Sequence, residues 1–374
     1  MEGDKKLKMT FYGGAGTVTG ANFLLEEMGG ETKILFDCGL LQGERIPDKE
    51  GVSSCGFPYD PREIDFLFIS HAHLDHIGRI PNLVKAGFKG KIYSTPPTKE
   101  ITELMLVDSI SVLEKEAKSE GRGSECLYNE ADVKETMTYW ETIPYNKQIN
   151  FAKGFSVNFK DSGHVLGSAM IEILYDGKKF VYTGDLGNSP NLLLSDTEFI
   201  YDADYLIMES VYGDRNHDPH SYGKDVFEDV IEDTVRAGGT LMIPAFSIEK
   251  TQEILYEVKE MMLNGRIPLI RVFLDSPLAI KVTDIYKKYK DYFNPEARKK
   301  FGFDNNGDIF NFPQLVKTLR TEESVSIKDY NHPKIIIAGS GMSTGGRILH
   351  HEKNYLGDKK NTLLFTGYQS AHTL

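Results

Sequence analysis

The sequence predicts an α/β protein in two parts, and three observations carry that prediction. Short apolar runs alternate with polar stretches of helical spacing along the whole chain, the pattern of stacked strands and helices. Several runs end on His, Asp or Glu, and strand ends are where α/β proteins place their chemistry. From about Tyr212 the alternation becomes a regular strand–helix–strand succession, which reads as a parallel sheet wound on both faces. A chain of 374 residues is long enough for two separate cores.

The elements follow in order. Met9–Tyr12, Asn22–Glu26 and Lys33–Asp37 read as consecutive strands joined by glycine turns, the first being Gly13-Gly14-Ala15-Gly16. That turn is read as structural and as bordering the site. The run Phe66-Leu67-Phe68-Ile69-Ser70 is a buried strand that leads into His71-Ala72-His73-Leu74-Asp75-His76-Ile77-Gly78 and then an amphipathic segment, Ile80–Ala86. Helices are predicted over Ile101–Lys118 and Glu130–Tyr139, with Glu120–Ser124 between them as a mobile polar loop. Strands return at Phe155–Phe159, Ala169–Leu174, Phe180–Thr183 and Tyr205–Met208. In the second part, Thr240–Ile243, Leu269–Leu274, Lys334–Ala338 and Thr362–Phe365 read as strands. Asp225–Arg236, Glu249–Met262 and Pro277–Tyr289 read as helices between them. No internal repeat or long low-complexity tract interrupts the pattern.

Composition narrows the class. Apolar content of 40% and charged content of 26% are those of an ordinary globular protein. The apolar runs are too short to span a bilayer, and Met1–Lys6 does not read as a secretory leader. Cys38, Cys55 and Cys126 form no CxxC pair, which fits reduced, structural thiols and a cytoplasmic setting. A formal net charge of −12 argues against a broad nonspecific nucleic-acid surface. It leaves room for a nuclease, whose groove needs only a local positive lining.

The loop at 71–76 is the chemical centre of the sequence. Three imidazoles and a carboxylate lie within six positions, a donor set that suits zinc. Four more acids and imidazoles stand at predicted strand ends: Asp37, His164, Asp185 and Glu209. Side chains at the same end of adjacent strands converge. One zinc is therefore assigned to His71, His73, His164 and a shared Asp185, and a second to Asp75, His76 and the same Asp185. A bridging carboxylate holds two ions close enough to act on one water and one phosphodiester. Asp37 is expected to orient the His-rich loop. His217 and His220 read as solvated loop residues, and His350 and His351 as residues of a helix face.

These motifs resemble the metallo-β-lactamase superfamily. The second half is similar to its β-CASP nucleases: Met208–Arg215, Pro244-Ala245-Phe246-Ser247, Asp275-Ser276-Pro277-Leu278-Ala279, Gly339-Ser340-Gly341-Met342 with Gly345-Gly346-Arg347, and Gly367-Tyr368-Gln369. The opening Gly16-Thr17-Val18-Thr19-Gly20 fits as well. The likeness covers essentially the whole chain and is strongest to archaeal and bacterial relatives of the endonuclease subunit that cuts pre-mRNA 3′ ends. It implies an αββα sandwich over residues 1–210 with an inserted doubly wound β-CASP domain over 211–366. Residues 367–374 would begin the return to the first domain. It implies hydrolysis of single-stranded RNA by two zinc ions in a cleft between the domains, with Asp75, Asp185 and Glu209 catalytic. Ser340, Ser343 and Arg347 would contact RNA phosphates, Phe246 and Tyr368 could stack bases, and Lys250 stands where the family often has Arg.

One departure shapes the expectations. The family supplies two further histidines after its Gly-Tyr-Gln strand, one a proton donor and one completing the second zinc site. Ser370-Ala371-His372-Thr373 imitates the first by its letters but abuts Gly-Tyr-Gln directly, so His372 is read as unrelated. The first zinc site is expected to be complete, the second to lack one His, and hydrolysis to be impaired in this form. An uncovered sheet edge would invite self-association or a homodimer. Two other classes stay open: a noncatalytic RNA-binding or scaffold relative, and a small-molecule metallo-hydrolase.

Overall fold

A computed structural model describes residues 6–41, 56–119, 128–216, 220–303, 308–367 and 369. The chain divides into two compact units, Met1–Val211 and Tyr212–Leu374. The loop expected at 120–124 and most of the segment 367–374 lie outside the described residues.

The first unit contains two sheets. Strands β1 (Lys6–Gly13), β2 (Asn22–Met28), β3 (Lys33–Phe36) and β4 (Phe66–Phe68) lead to the short helices α1 (Leu74–Ile77) and α2 (Ile80–Lys85). Strand β5 (Lys91–Ser94), helices α3 (Pro96–Ser119) and α4 (Glu130–Thr138) and strand β6 (Trp140–Thr142) follow. The second sheet is built from β7 (Ile149–Ala152), β8 (Phe155–Asp161), β9 (Ala169–Tyr175), β10 (Lys178–Tyr182) and β11 (Tyr205–Ile207). The first sheet runs β1-β2-β3-β4-β5-β6, antiparallel to β3 and parallel beyond it. The second runs β11-β10-β9-β8-β7, with only the β10–β11 pair parallel.

Alternation along the strands sorts the apolar side chains into two cores. Phe36, Phe68 and Tyr93 point from the first sheet into a shared core with Phe155, Phe159, Ile171 and Tyr182 of the second. Their neighbours Leu35, Leu67 and Ile92 point the other way, onto Ile80, Leu83, Leu106 and Val133 of the helical layer. Helix α4 begins at a capping box, with Asn129 and Asp132 exchanging side-chain-to-backbone bonds.

The second unit carries one parallel sheet. Its elements are α5 (His220–Arg236), β12 (Thr240–Pro244), α6 (Lys250–Leu263), β13 (Arg271–Asp275), α7 (Pro277–Lys288), α8 (Pro295–Phe303), β14 (Leu315–Lys317), α9 (Thr321–Ser326), β15 (Lys334–Ala338), α10 (Ile348–Tyr355) and β16 (Thr362–Leu363). The order is β14-β13-β15-β12-β16, all parallel, so the winding reverses and both faces are covered. Strands β12 and β15 are buried along their whole length, as central parallel strands are. Helix α7 starts on Ser276, whose hydroxyl accepts from Ala279 N at 3.2 Å, with Pro277 in the first turn.

The expected strands and helices are present, with ends displaced by a few residues. Strands β5, β6, β7 and β14 and helices α8 and α9 lacked a sequence signal strong enough to name them. Strand β4 ends at Phe68 rather than Ser70 because Ser70 N turns to Asp37 Oδ1 at 2.8 Å. No helix among the described residues is long and apolar enough to cross a membrane.

Candidate metal centre

The site forms where the chain leaves β3, β4, β8, β10 and β11. After β4 the backbone stays extended to His73, which precedes the first turn of α1, and His76 N and Ile77 N both donate to His73 O, at 2.9 and 3.0 Å. This turn rises past Gly39. A Cβ on Gly39 would lie 1.5 Å from Asp75 O, so only glycine lets the 37–40 segment pass beneath the His-rich loop.

Asp37 sits at the end of β3 with φ of 55°, fully buried. Its carboxylate is a hub. Oδ1 accepts Ser70 N at 2.8 Å, and Oδ2 accepts Ser70 Oγ at 2.7 Å, Tyr182 OH at 2.6 Å and His76 Nδ1 at 2.7 Å. Donation from Nδ1 leaves the Nε2 of His76 facing the site.

Four side chains converge beside this hub. His71, His73, His164 and Asp185 each offer one donor atom, all within 4.8 Å of one another. His71 Nε2 lies 3.0 Å from His73 Nδ1, and His164 Nε2 lies 3.2 Å from the same nitrogen. Asp185 Oδ2 is 3.6 Å from both His71 Nε2 and His164 Nε2. The other oxygen of Asp185 looks elsewhere: Oδ1 is 3.3 Å from His76 Nε2, which is in turn 3.8 Å from Asp75 Oδ2. One carboxylate thus faces two imidazole groups.

The His164 loop is held by its own bonds. Ser168 Oγ accepts from His164 N and Val165 N, both at 3.1 Å, and Thr95 and Thr98 hydroxyls both donate to Gly167 O. Glu209 stands next to Asp185 in the fold but outside the four-residue group. Its Oε1 accepts Leu186 N at 3.2 Å and its Oε2 accepts Val211 N at 2.9 Å.

The electrostatics favour a cation. Burial lowers the pKa of His73 to about 4, reinforced by His164, and burial likewise lowers those of His71 and His164. Three imidazoles are therefore neutral, with lone pairs available. Burial also opposes charge on His76, but Asp185, Asp75 and Asp37 outweigh it and hold its pKa well above the usual value. Asp185 is held well below the usual carboxylate range, because His76 and His71 more than offset its burial. Three imidazole nitrogens and a carboxylate oxygen gathered within 4.8 Å of one another are the donor set of a divalent metal, and the residues fit one.

The candidates of the second unit are arranged differently. Ser343 is 2% exposed, and its hydroxyl donates to Glu352 at 2.6 Å. Arg347 donates to Asp275 Oδ1 at 2.6 Å, to Thr318 O at 3.1 Å and to Leu319 O at 2.9 Å. Of the three side chains expected to reach phosphate, Ser343 and Arg347 are thus engaged inside the unit, and Ser340, half-buried, bonds to the Thr344 hydroxyl at 3.2 Å. Lys250 is paired with Glu253 at 2.6 Å. The Phe246 ring packs on Gly341, where a Cβ would meet it at 2.7 Å. His351 is on α10 as expected, but buried, with Nε2 2.7 Å from Asp275 Oδ2; His350 is on the same helix, 3.1 Å from Asn354 Nδ2. His217, Tyr368 and His372 lie outside the described residues, as does the side chain of His220.

The sequence reading missed Ser70, Tyr182 and Asp275 as organising residues. The serine directly before the first histidine was the available signal; Tyr182, inside an apolar strand, gave none.

Residues 25–211 match a family model described as a metallo-beta-lactamase superfamily domain, and residues 251–374 match one described as a Beta-Casp domain. "Ribonuclease TTHA0252" of Thermus thermophilus is 35% identical over 363 residues, which are 97% of this chain and 79% of that protein. "Transcription termination factor FttA" of Methanosarcina mazei is 30% identical over 380 residues, 99% of this chain; the chain spans only 57% of that relative's length. Among solved structures, a protein of unknown function from Enterococcus faecalis V583 superposes with a TM-score of 0.52 at 14% identity, covering 96% of this chain and 87% of that one. That likeness supports the fold.

Proposed function

Because this chain belongs to the β-CASP group of the metallo-β-lactamase superfamily, we propose that it is a zinc-dependent endoribonuclease hydrolysing single-stranded RNA at a two-ion centre. The observation that carries this reading is Asp185, whose two oxygens face two separate imidazole groups. His71, His73, His164 and Asp185 Oδ2 would hold the first ion. Asp75, His76 and Asp185 Oδ1 would hold the second. Such ions, when bound, lower the pKa of water and neutralise the phosphodiester's charge during in-line attack.

The remaining work falls to the chain. Asp75 and Asp185 orient the attacking water, and Asp75 accepts its proton at the carboxylate oxygen that holds no ion. Asp37 keeps His76 turned so that Nε2 faces Asp185. Glu209, fixed through the Leu186 and Val211 amides, serves the proton transfer to the leaving oxygen. The same proposal assigns residues 1–210 to the metal-binding domain, 211–366 to the β-CASP domain and 367–374 to a return segment, and places the work in the cytoplasm. Self-association belongs to it too, supported by the edge strand β11, where Tyr205 and Leu206 are each 56% exposed.

Zinc content after dialysis, read together with cleavage of an unstructured RNA, tests the reading. The parent protein should hold zinc and cut RNA. His73→Ala should lose tight zinc and cutting together; unchanged zinc in that variant would overturn the ligand assignment. Glu209→Ala should retain zinc while cleavage falls about 10²- to 10⁴-fold. Loss of zinc there would make Glu209 a ligand instead.

A further inference from the structure

We propose that Ser70 is a positioning residue that fixes the ring tautomer of His71 and ties the two ion positions together through Asp37. The inference rests on the metal-centre reading above and concerns a residue that reading leaves unused.

Ser70 is 1% exposed and has one hydroxyl hydrogen to give. Its Oγ lies 2.7 Å from Asp37 Oδ2 and 3.0 Å from His71 Nδ1. A carboxylate only accepts, so the hydroxyl donates to Asp37 and its lone pair accepts from His71 Nδ1–H. That polarity leaves Nε2 of His71 unprotonated, aimed at His73 Nδ1 and Asp185 Oδ2, 3.0 and 3.6 Å away. The same Asp37 oxygen takes His76 Nδ1 at 2.7 Å. One carboxylate oxygen therefore sets the ligating nitrogens of both positions, directly for His76 and through Ser70 for His71.

Ser70 also touches the other two ligand-bearing segments. Its carbonyl accepts Ala169 N at 2.8 Å, where the His164 loop ends. Gly184, directly before Asp185, has φ of 55°, and a Cβ there would sit 2.5 Å from Ser70 Cβ and 2.8 Å from Oγ. The Asp185 segment thus lies against this serine. A residue in contact with all of these segments, with its own oxygen already occupied, acts by holding the ligands rather than by ligation.

A buried serine of purely structural value would affect stability alone. Ser109 provides that comparison: it is 3% exposed and its hydroxyl bonds to Tyr128 OH at 2.6 Å in the helical layer. In Zn²⁺ and Co²⁺ titrations against a competing chelator, Ser70→Ala should weaken binding about 10- to 100-fold. It should also alter the visible spectrum of the Co²⁺ form. Ser109→Ala should change neither, and Ser70→Ala combined with Asp37→Asn should lose less than the sum of the two singles. Unchanged affinity and spectrum in Ser70→Ala, or the same loss in Ser109→Ala, overturns the proposal. Should Ser70→Ala fail to fold, ¹⁵N spectra of the imidazoles in the zinc-loaded parent decide: protonation of His71 at Nδ1 supports the inference, at Nε2 refutes it. A parent protein that binds neither Zn²⁺ nor Co²⁺ would instead sink the metal-centre reading itself.

Discussion

Asp37 in the first unit and Asp275 in the second are built alike and work differently. Each is a fully buried carboxylate at the end of a strand, and each accepts four bonds. The Asp37 partners are a backbone amide, two hydroxyls and an imidazole, and beyond them lie further imidazole nitrogens that face one another. Those of Asp275 are the Thr318 and Ser324 hydroxyls, the Arg347 guanidinium and His351. There the negative charge meets a fixed cation, and the circuit closes on itself. A buried acid at a strand end is therefore not in itself a sign of chemistry. What distinguishes the first unit is that its donors have far sides with lone pairs converging on one place.

The largest expected effect comes from breaking the closed circuit. Asp275→Ala would strand the Arg347 guanidinium and free four donors, and removing one partner of such a buried pair costs about 3–5 kcal/mol. Denaturation should show a large loss of stability in the second unit. Zinc stoichiometry measured on the folded fraction should stay that of the parent; a loss of zinc would erase the distinction between the two hubs.

The open circuit should respond the other way round. Asp37→Asn keeps an acceptor and the shape, but puts an amide where His76 Nδ1, Ser70 Oγ and Tyr182 OH all need an acceptor oxygen. Metal affinity should fall about 10- to 100-fold, with a smaller change in melting temperature than Asp275→Ala produces. Isothermal titration with Zn²⁺ measures it. Equal affinity in variant and parent would remove Asp37 from the machinery.

Much of this contrast was legible in the sequence, and the unread part has a physical cause. His71, His73, Asp75 and His76 announce themselves by local density, and His164, Asp185 and Glu209 by their place at strand ends. The parallel sheet of the second unit follows from the strand–helix alternation, with apolar runs such as Ile335–Ala338 as its strands. Strands β6 and β7 are short and partly exposed, so they carry little periodicity. Arg347 and Ser343 follow a glycine turn, which suggests phosphate binding. In the fold they bond to Asp275 and Glu352, which lie 72 and 9 residues away. Sequence proximity to glycines is local information; the direction a guanidinium takes depends on a buried acid that only the folded sheet brings near.

A third buried carboxylate sharpens the comparison by having too few donors. Asp161 is 8% exposed, and its Oδ1 accepts Gly163 N at 2.8 Å and Tyr145 OH at 3.4 Å, with Glu198 nearby. Burial dominates, and Glu198 adds to it, so the pKa rises to about 7. In Asp275 burial acts in the same direction, but His351, Ser324, Thr318 and Arg347 reverse it and depress the pKa strongly. The two acids must then have opposite pH signatures. Asp275 stabilises the fold above the ordinary carboxylate pKa, about 4, and that contribution is lost as acid titrates it. Asp161 binds its proton more tightly folded than unfolded, so stability falls as pH rises from about 4 towards 7, by at most about 1.4 kcal/mol per pH unit for one proton. Asp161→Asn retains the acceptor for Gly163 N and removes the ionisation. Urea denaturation across that range should show a flatter stability profile in the variant and a higher stability than the parent at pH 8. A parent and variant whose profiles run parallel would mean that Asp161 is ionised in the fold at no cost, and that donor count does not decide the fate of a buried acid here.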